Sequence, residues 1–149
     1  MKKLYVLAYS LMILCACVHA QTAPPLNQPA DKPLLFAALP GKLECNLEEV
    51  DRLFMAEPSQ KLSLQLNNQL HLDGTVMEVV RRSPEVLTIN FKTSNFSGGL
   101  FTISRIIQNG VIRYSGRLIS RENGDVLMVV KENDKYYFTK MSQRFVMVE

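Results

Sequence analysis

Hydrophobic and β-branched residues dominate the chain from Lys61 onward, in short runs separated by turn-forming pairs such as Asn-Gly and Asn-Asp. Runs of this kind, bounded by Asn, Asp, Gly, Ser and Pro, predict β-strands joined by tight turns. The predicted strands are residues 61–66, 70–80, 85–92, 100–107, 111–120, 125–131, 135–141 and 144–148. None of the connections is long enough for the crossover that parallel strands need, so the order predicts an antiparallel meander.

The pair Asn109-Gly110 suits a two-residue hairpin loop, because both positions of such a loop need a positive φ. With that loop the opposed residues are Ile107 and Ile112, Arg105 and Tyr114, Ile103 and Gly116, and Phe101 and Leu118. Opposed residues share a face, and this face is apolar except for Arg105. At Asn123-Gly124 the register stays open, since two-residue and three-residue loops give opposite pairings.

A helical pattern precedes these strands. Asn46 followed by Glu49 has the spacing of a capping box, in which the Asn caps the first turn and the Glu bonds back. The apolar positions that follow recur on one helical face; they are Leu47, Val50, Leu53 and Phe54. We expect an amphipathic helix of about three turns, ended by Pro58, that packs against the sheet. A partner-binding helix is the alternative.

These patterns predict a mainly β protein: an antiparallel meander of about 7–8 strands, preceded by one short amphipathic helix. The sheet is expected to form a half-open or closed barrel, or a sandwich. The chain of 149 residues suits one domain, which we assign to residues 34–149. Residues 126–130 are apolar on both faces, and residues 145–148 are apolar as well. They fit a barrel seam or a dimer edge.

The first twenty residues have the layout of a bacterial export signal: two lysines, an apolar run of about 15 residues and a small-residue exit ending at Ala20. Cleavage after Ala20 is the favoured prediction. The competing one is lipidation at Cys17, because Leu14 to Cys17 resembles a lipobox. Residues 21–33 are rich in Pro and are interpreted as a flexible tether. Localisation is therefore expected to be periplasmic or secreted, or alternatively an outer-membrane lipoprotein.

Charge is distributed unevenly along the predicted domain. Without the two lysines of the signal, 15 basic residues face 14 acidic ones, so the chain has no excess that indicates nucleic acid. Residues 81–121 nevertheless carry seven basic residues against one acidic residue. Arg113, Arg117 and Arg121 alternate onto one side of a predicted strand. These three form a stripe that is either a solvated surface or a face for an anionic or acidic partner.

Few residues offer catalytic chemistry. Beyond the signal, His71 and Cys45 are single residues of their kinds, too few for the usual zinc sites. No P-loop, dinucleotide-binding glycine motif or nucleophile elbow is present. Asp73-Gly74 is interpreted as a bulge or bend within its strand. Cys45 is expected to be a small buried residue, with a reactive thiol as the alternative. We predict no catalytic residue, no metal and no cofactor.

The segments Leu100-Phe-Thr-Ile-Ser-Arg105, Tyr114-Ser-Gly-Arg117 and Asp134-Lys-Tyr-Tyr-Phe-Thr-Lys140 resemble small exported bacterial proteins without a known activity. The resemblance covers roughly the C-terminal half of the chain. It implies that an export signal followed by a small β domain recurs, and it implies no site.

Three functional hypotheses follow. The first is a non-enzymatic binding or structural module of the bacterial cell envelope, with an envelope protein or anionic surface as its partner. The second is a protease inhibitor or propeptide-like protein that uses residues 93–99 as a bait loop. The third is a small hydrolase that uses His71 with Asp73. A membrane contact is expected only through a lipid anchor, and no nucleic acid is expected.

Overall fold

The structure, a computed structural model, describes residues 32–142. This part of the chain contains eight β-strands and one α-helix. Their bounds are β1 (Lys42–Glu44), α1 (Leu47–Phe54), β2 (Lys61–Asn67), β3 (Leu70–Ser83), β4 (Val86–Thr93), β5 (Gly99–Gln108), β6 (Val111–Ser120), β7 (Asp125–Glu132) and β8 (Lys135–Ser142). The mainly β class is confirmed. The predicted signal, Cys17 and the predicted strand at 144–148 lie outside the described residues.

The described strands form one antiparallel sheet in the order β1-β8-β7-β6-β5-β4-β3-β2, curled into a half-barrel. From β2 to β8 each strand pairs with the next one along the chain, which confirms the meander. The hydrophobic pattern did not reveal β1, three residues that pair with β8 at one edge of the sheet. Because β1 comes before α1, the helix lies between two strands and does not precede the sheet as predicted.

The two edge strands approach each other where α1 begins. The backbone N–H of Asn46 donates to the Leu66 carbonyl at the end of β2, at 2.8 Å. The Asn67 side-chain Nδ2 donates to the Glu44 carbonyl of β1, at 2.7 Å. We call these two bonds the seam. They join the edges of the half-barrel at one end, although β1 and β2 form no ladder with each other.

The helix α1 is shorter than predicted, at eight residues, about two turns. Its Asn46 cap is confirmed, since Oδ1 accepts a first-turn backbone N–H at 3.1 Å. Glu49 does not bond back to the cap; its Oε2 accepts from the Gln65 N–H of β2 at 3.1 Å and lies 2.8 Å from the Arg52 guanidinium. Arg52 also donates to the Ser63 carbonyl. Side chains of α1 thus cover the open edge of β2, which would otherwise present free backbone groups.

The hydrophobic core fills the concave side of the sheet, and the apolar side of α1 faces it, as predicted. Val50 and Leu53 of the helix are fully buried. The largest fully buried side chains are Phe36, Phe91, Phe101, Phe138, Leu53, Leu64, Leu66, Leu70, Leu72, Ile89, Ile103 and Leu118. They come from nearly every strand, so the meander closes over a single core.

The register predicted for the β5–β6 hairpin is confirmed at all four opposed pairs. Asn109 and Gly110 have φ values of 53° and 75°, as a two-residue loop requires. The β6–β7 register differs from both alternatives. Ile119 lies opposite Val126, so a four-residue connection, 121–124, joins these strands.

The expected bulge at Asp73-Gly74 is wrong. Gly74 is regularly paired with Leu62 on one side and Thr93 on the other. The register shifts in β3 fall later, between Val76 and Glu78 and again near the end of the strand.

Candidate functional site

Two of the three predicted arginines lie on the outer face of β6. Arg113 and Arg117 are four residues apart in the strand, so their side chains leave the same face of the sheet. Both are exposed, and neither is paired with a carboxylate among residues 32–142. Arg121 follows the strand, in the connection to β7, where its carbonyl accepts from Lys32 Nζ at 2.7 Å. The strand-borne part of the predicted stripe is therefore Arg113 and Arg117.

A polar row runs across the outer face from Arg117. Thr102 of β5 and Asn90 of β4 lie in register with it, and Thr102 Oγ1 donates to Asn90 Oδ1 at 2.8 Å. Asn90 Nδ2 donates in turn to Glu78 of β3, at 3.0 Å. Three strand spacings separate Arg117 from Glu78, about 14 Å. That distance exceeds the Debye length of about 8 Å at physiological ionic strength, so Glu78 neutralises little of the charge on β6.

The tip of the β5–β6 hairpin carries exposed apolar side chains, two of which, Ile107 and Ile112, were predicted to lie on the core face. Ile107, Val111 and Ile112 are 39%, 52% and 48% exposed. Pairing with β4 ends at Ile106 and pairing with β7 ends at Gly116, so neither neighbouring strand pairs with the last residues of this hairpin. A sequence signal was present: aliphatic residues on both sides of a tight turn, where polar residues are usual.

Arg105 and Tyr114 link this hairpin to α1. The Arg105 guanidinium lies 5.2 Å from the ring centroid of Phe54, so its aromatic contact is with the helix and not with Tyr114 opposite it. The Tyr114 hydroxyl donates to Asp51 of α1. Burial, and then the Asp51 carboxylate, hold the pKa of Tyr114 well above its usual range. Arg105 is therefore a packed residue and not an additional free cation of the outer face.

His71 lies on the outer face with hydroxyl and carboxylate neighbours. Its Nε2 is 3.0 Å from Ser63 Oγ and 2.8 Å from Asp73 Oδ1, and its Nδ1 is 3.0 Å from Gln65 Oε1. Hydrogen bonds from Ser63 and then His71 lower the pKa of Asp73. A nucleophilic triad needs the hydroxyl and the carboxylate on opposite ring nitrogens, whereas both share Nε2 here. The cluster is a surface hydrogen-bond network without the geometry that activates a serine.

Cys45 is buried, at 7% exposure, as expected for a small packing residue. Burial raises the pKa of its thiol to about 12, so the reactive thiolate is scarce near neutral pH. Within residues 32–142 no group of three or more His, Cys, Asp or Glu residues could hold a metal ion.

The loop at residues 93–99 folds back on itself. Thr93 Oγ1 and the Gly99 N–H both donate to the Phe96 carbonyl, at 2.8 and 2.9 Å. The Phe96 ring packs 5.6 Å from the ring of Phe36. The largest side chain of this loop thus contacts the core, and the side chains that remain exposed are the small polar ones of Ser94, Asn95 and Ser97.

In the described part of the chain, no helix is long and apolar enough to cross a membrane. Comparison with models of known protein families, with curated proteins and with solved structures gave no match to this chain.

Proposed function

We propose that this protein is a non-enzymatic binding module of the bacterial cell envelope that contacts an anionic or acidic partner through Arg113 and Arg117, with Arg121 at the end of the same stripe. One observation carries the proposal: Arg113 and Arg117 are exposed on one face without a carboxylate partner among residues 32–142. Exposed cations on a rigid strand raise the local concentration of anions and give a geometrically fixed contact.

Two further features support a binding role over a catalytic one. The Ser63–His71–Asp73 cluster lacks the nucleophile geometry, since both oxygens contact Nε2. The Cys45 thiol is buried and has a raised pKa. The described side chains with catalytic potential thus serve hydrogen bonding or packing.

The test is retention on immobilised dextran sulfate, a defined polyanion. In the double variant Arg113→Glu/Arg117→Glu we expect elution at clearly lower salt than the wild type, since attractive charges become repulsive. The matched control is Lys42→Glu/Lys135→Glu, which makes the same change in net charge at lysines already paired with Glu132 and Glu44. Equal shifts in the two double variants would show that net charge alone governs retention, against the proposed face.

The envelope location rests on the predicted export signal and has its own test. Cell fractionation combined with the intact mass of the isolated protein distinguishes the alternatives. A chain beginning at Gln21 supports cleavage after Ala20, and a diacylglycerol-sized increase on Cys17 supports a lipoprotein. An unprocessed chain in the cytoplasm would contradict the envelope assignment.

A further inference from the structure

We propose that the tip of the β5–β6 hairpin is a membrane-contact site that places Ile107, Val111 and Ile112 among the headgroups of an anionic bilayer. The inference rests on the proposed function and names its partner, a bilayer surface. It assigns the first contact to the hairpin tip, whose aliphatic residues are not part of the arginine face. Arg113 lies next to the tip and belongs to that face.

Aliphatic side chains are exposed on both faces of the hairpin beside its turn. Ile107 and Ile112 are directly opposed and share one face, while Val111 leaves the other, so the tip is aliphatic on both sides. These residues are 39%, 48% and 52% exposed. Exposed aliphatics adjacent to a tight turn gain by leaving water, and a bilayer offers an apolar layer directly beneath its charged plane.

Exposed basic residues near the tip complement the charge of an anionic bilayer. Arg81 and Arg82 directly precede Ser83, the last residue of β3, and Arg113 lies one residue beyond Ile112. All three are exposed, and none is in an ion pair among residues 32–142. The acidic residue of the β3–β4 turn is Glu85, and its Oε2 accepts from Ser83 Oγ at 2.8 Å. The acidic residues at the β7–β8 turn are Glu132 and Asp134, which pair with Lys42 and Lys131. Each basic residue near an anionic lipid surface strengthens the electrostatic attraction between the protein and that surface.

The two turns lie at the same end of the sheet. Ser83 pairs with Val86 and Val86 with Ile106, so the end of β3 lies level with the end of β5 on the other side of β4. The Ile107 N–H donates to the Glu85 carbonyl at 2.9 Å and fixes one turn to the other. The aliphatic side chains lie within about three residues of the turn, a reach of about 10 Å along a strand. That reach matches the depth of about 5–10 Å at which apolar groups bury in the headgroup region.

A bilayer fits this tip better than a protein groove does. Protein hot spots are enriched in Trp and Tyr at the centre of an interface, whereas the exposed apolar side chains that flank this turn are all aliphatic. The basic residues lie behind the turn, at Arg81, Arg82 and Arg113. The lipid phosphates would surround the hairpin at this level if it were inserted. Exposed aliphatic side chains beside a turn, with basic residues behind them, are the arrangement that a layered anionic surface complements.

The chain contains no tryptophan, so a single introduced one reports its own position. We would purify the full chain in the form that cells process, with Ile112→Trp, and record its emission with phosphatidylglycerol vesicles and with brominated lipids as quenchers. The expected result is a shift to shorter wavelength and quenching with the anionic vesicles, and neither with neutral phosphatidylcholine. Val111→Trp is the second reporter, should Ile112→Trp lower the yield of folded protein.

The control reporter is Met141→Trp, at the opposite end of the sheet and 42% exposed. It should remain unquenched even if another segment holds the protein on the vesicle. Quenching of Met141→Trp to the same extent, or absence of quenching at both tip reporters, would overturn the inference. So would quenching by neutral vesicles to the same extent, or a concentration-dependent blue shift without vesicles, which would indicate contact between copies.

A loss-of-function variant completes the test. Ile107→Ser/Ile112→Ser should lower vesicle affinity about tenfold or more, because the buried apolar area is removed while every charge is kept. Its retention on dextran sulfate should equal that of the wild type. If the tryptophan reporters at the tip show no vesicle quenching while the protein keeps normal dextran sulfate retention, the tip is rejected and the proposed function stands. Quenching at the tip reporters, combined with equal elution shifts in the two charge-reversal variants, would reject the arginine face and leave the tip standing.

Discussion

Gly74 is a residue at which the sheet tolerates no side chain. An added Cβ would lie 2.1 Å from the Lys92 carbonyl oxygen and 2.8 Å from the Phe91 ring. The first neighbour is backbone of the adjacent strand and cannot rotate away. A strand glycine in such a place marks a close approach of two backbones.

We therefore expect Gly74→Ala to lower the free energy of unfolding by about 3 kcal/mol or more, since overpacking against backbone leaves little relief. Urea denaturation measures it. Gly41→Ala is the matched control, because its Cβ would meet nothing within 4 Å. Similar losses in both variants would show that glycine flexibility, and not space, sets the effect.

Cys45 gives a prediction about alkaline stability. Its pKa is raised by burial from 9.0 to about 12, so the folded state resists losing the thiol proton and the unfolded state does not. This part of the stability is complete below about pH 9 and is lost as the pH rises from there toward 12. In Cys45→Ala it should be missing at every pH.

The measurement is the free energy of unfolding of wild type and Cys45→Ala at pH 7 and pH 10.5. The advantage of the wild type should shrink by about 1–2 kcal/mol at the higher pH. Lysines and tyrosines titrate in both proteins and cancel in the comparison. A difference that does not change with pH would contradict a buried thiol with a raised pKa.

At the scale of elements, local chemistry determined what the sequence could predict. The β5–β6 register followed from Asn109-Gly110 together with strict alternation, two signals that agree. The β6–β7 register did not, because Val126 to Val130 is apolar on both faces and alternation carries no information there. The strand β1 has three residues, too few for any periodic signal, and it forms because β8 offers an edge.

Asp125 fixes the segment before β1 to the sheet. The carboxylate is buried, and its two oxygens accept from the Leu35 and Phe36 N–H groups at 2.7 and 2.8 Å. Asp125→Asn keeps one acceptor and turns an NH₂ group toward the other N–H. We expect a loss of about 1–3 kcal/mol, the cost of an unsatisfied buried donor.

Thermal or urea unfolding measures that loss, and amide exchange at Leu35 and Phe36 localises it. The control is Asp134→Asn, the same chemical change in an exposed turn where the carboxylate pairs with Lys131 at 2.8 Å. An exposed ion pair contributes about 0–1 kcal/mol. If Asp134→Asn destabilises as much as Asp125→Asn, the buried acceptor is not the cause.

At the scale of the whole molecule, the candidate sites differ in how far sequence could reveal them. Arg113 and Arg117 followed from strand alternation alone, and the structure leaves both exposed on one face. The exposure of Ile107 and Ile112 could not be predicted in that way. Alternation assigned them to the apolar face, and only the lengths over which β4 and β7 pair with this hairpin show that the face is uncovered at its tip.

The seam joins the two edges of the half-barrel at one end. Asn67 Nδ2 donates to the Glu44 carbonyl, while its Oδ1 accepts from the Gln69 N–H at 3.1 Å. Asn67→Asp keeps the second bond and replaces the donor of the first by an anion facing a carbonyl. The edges should separate, and the Asn46 N–H, bonded to Leu66, should lose protection.

Hydrogen exchange at Asn46 measures this opening. A lost bond of about 1–1.5 kcal/mol corresponds to exchange about tenfold faster in Asn67→Asp. Asn68→Asp is the matched control: it introduces the same charge one residue later, at an exposed side chain without a hydrogen bond among residues 32–142. Exchange at the amides of β5 and β6 should be unchanged in both variants, because these strands lie in the middle of the sheet, away from its two edges. Unchanged exchange at Asn46 in Asn67→Asp, or equal acceleration in Asn68→Asp, would mean that the core alone holds the edges together.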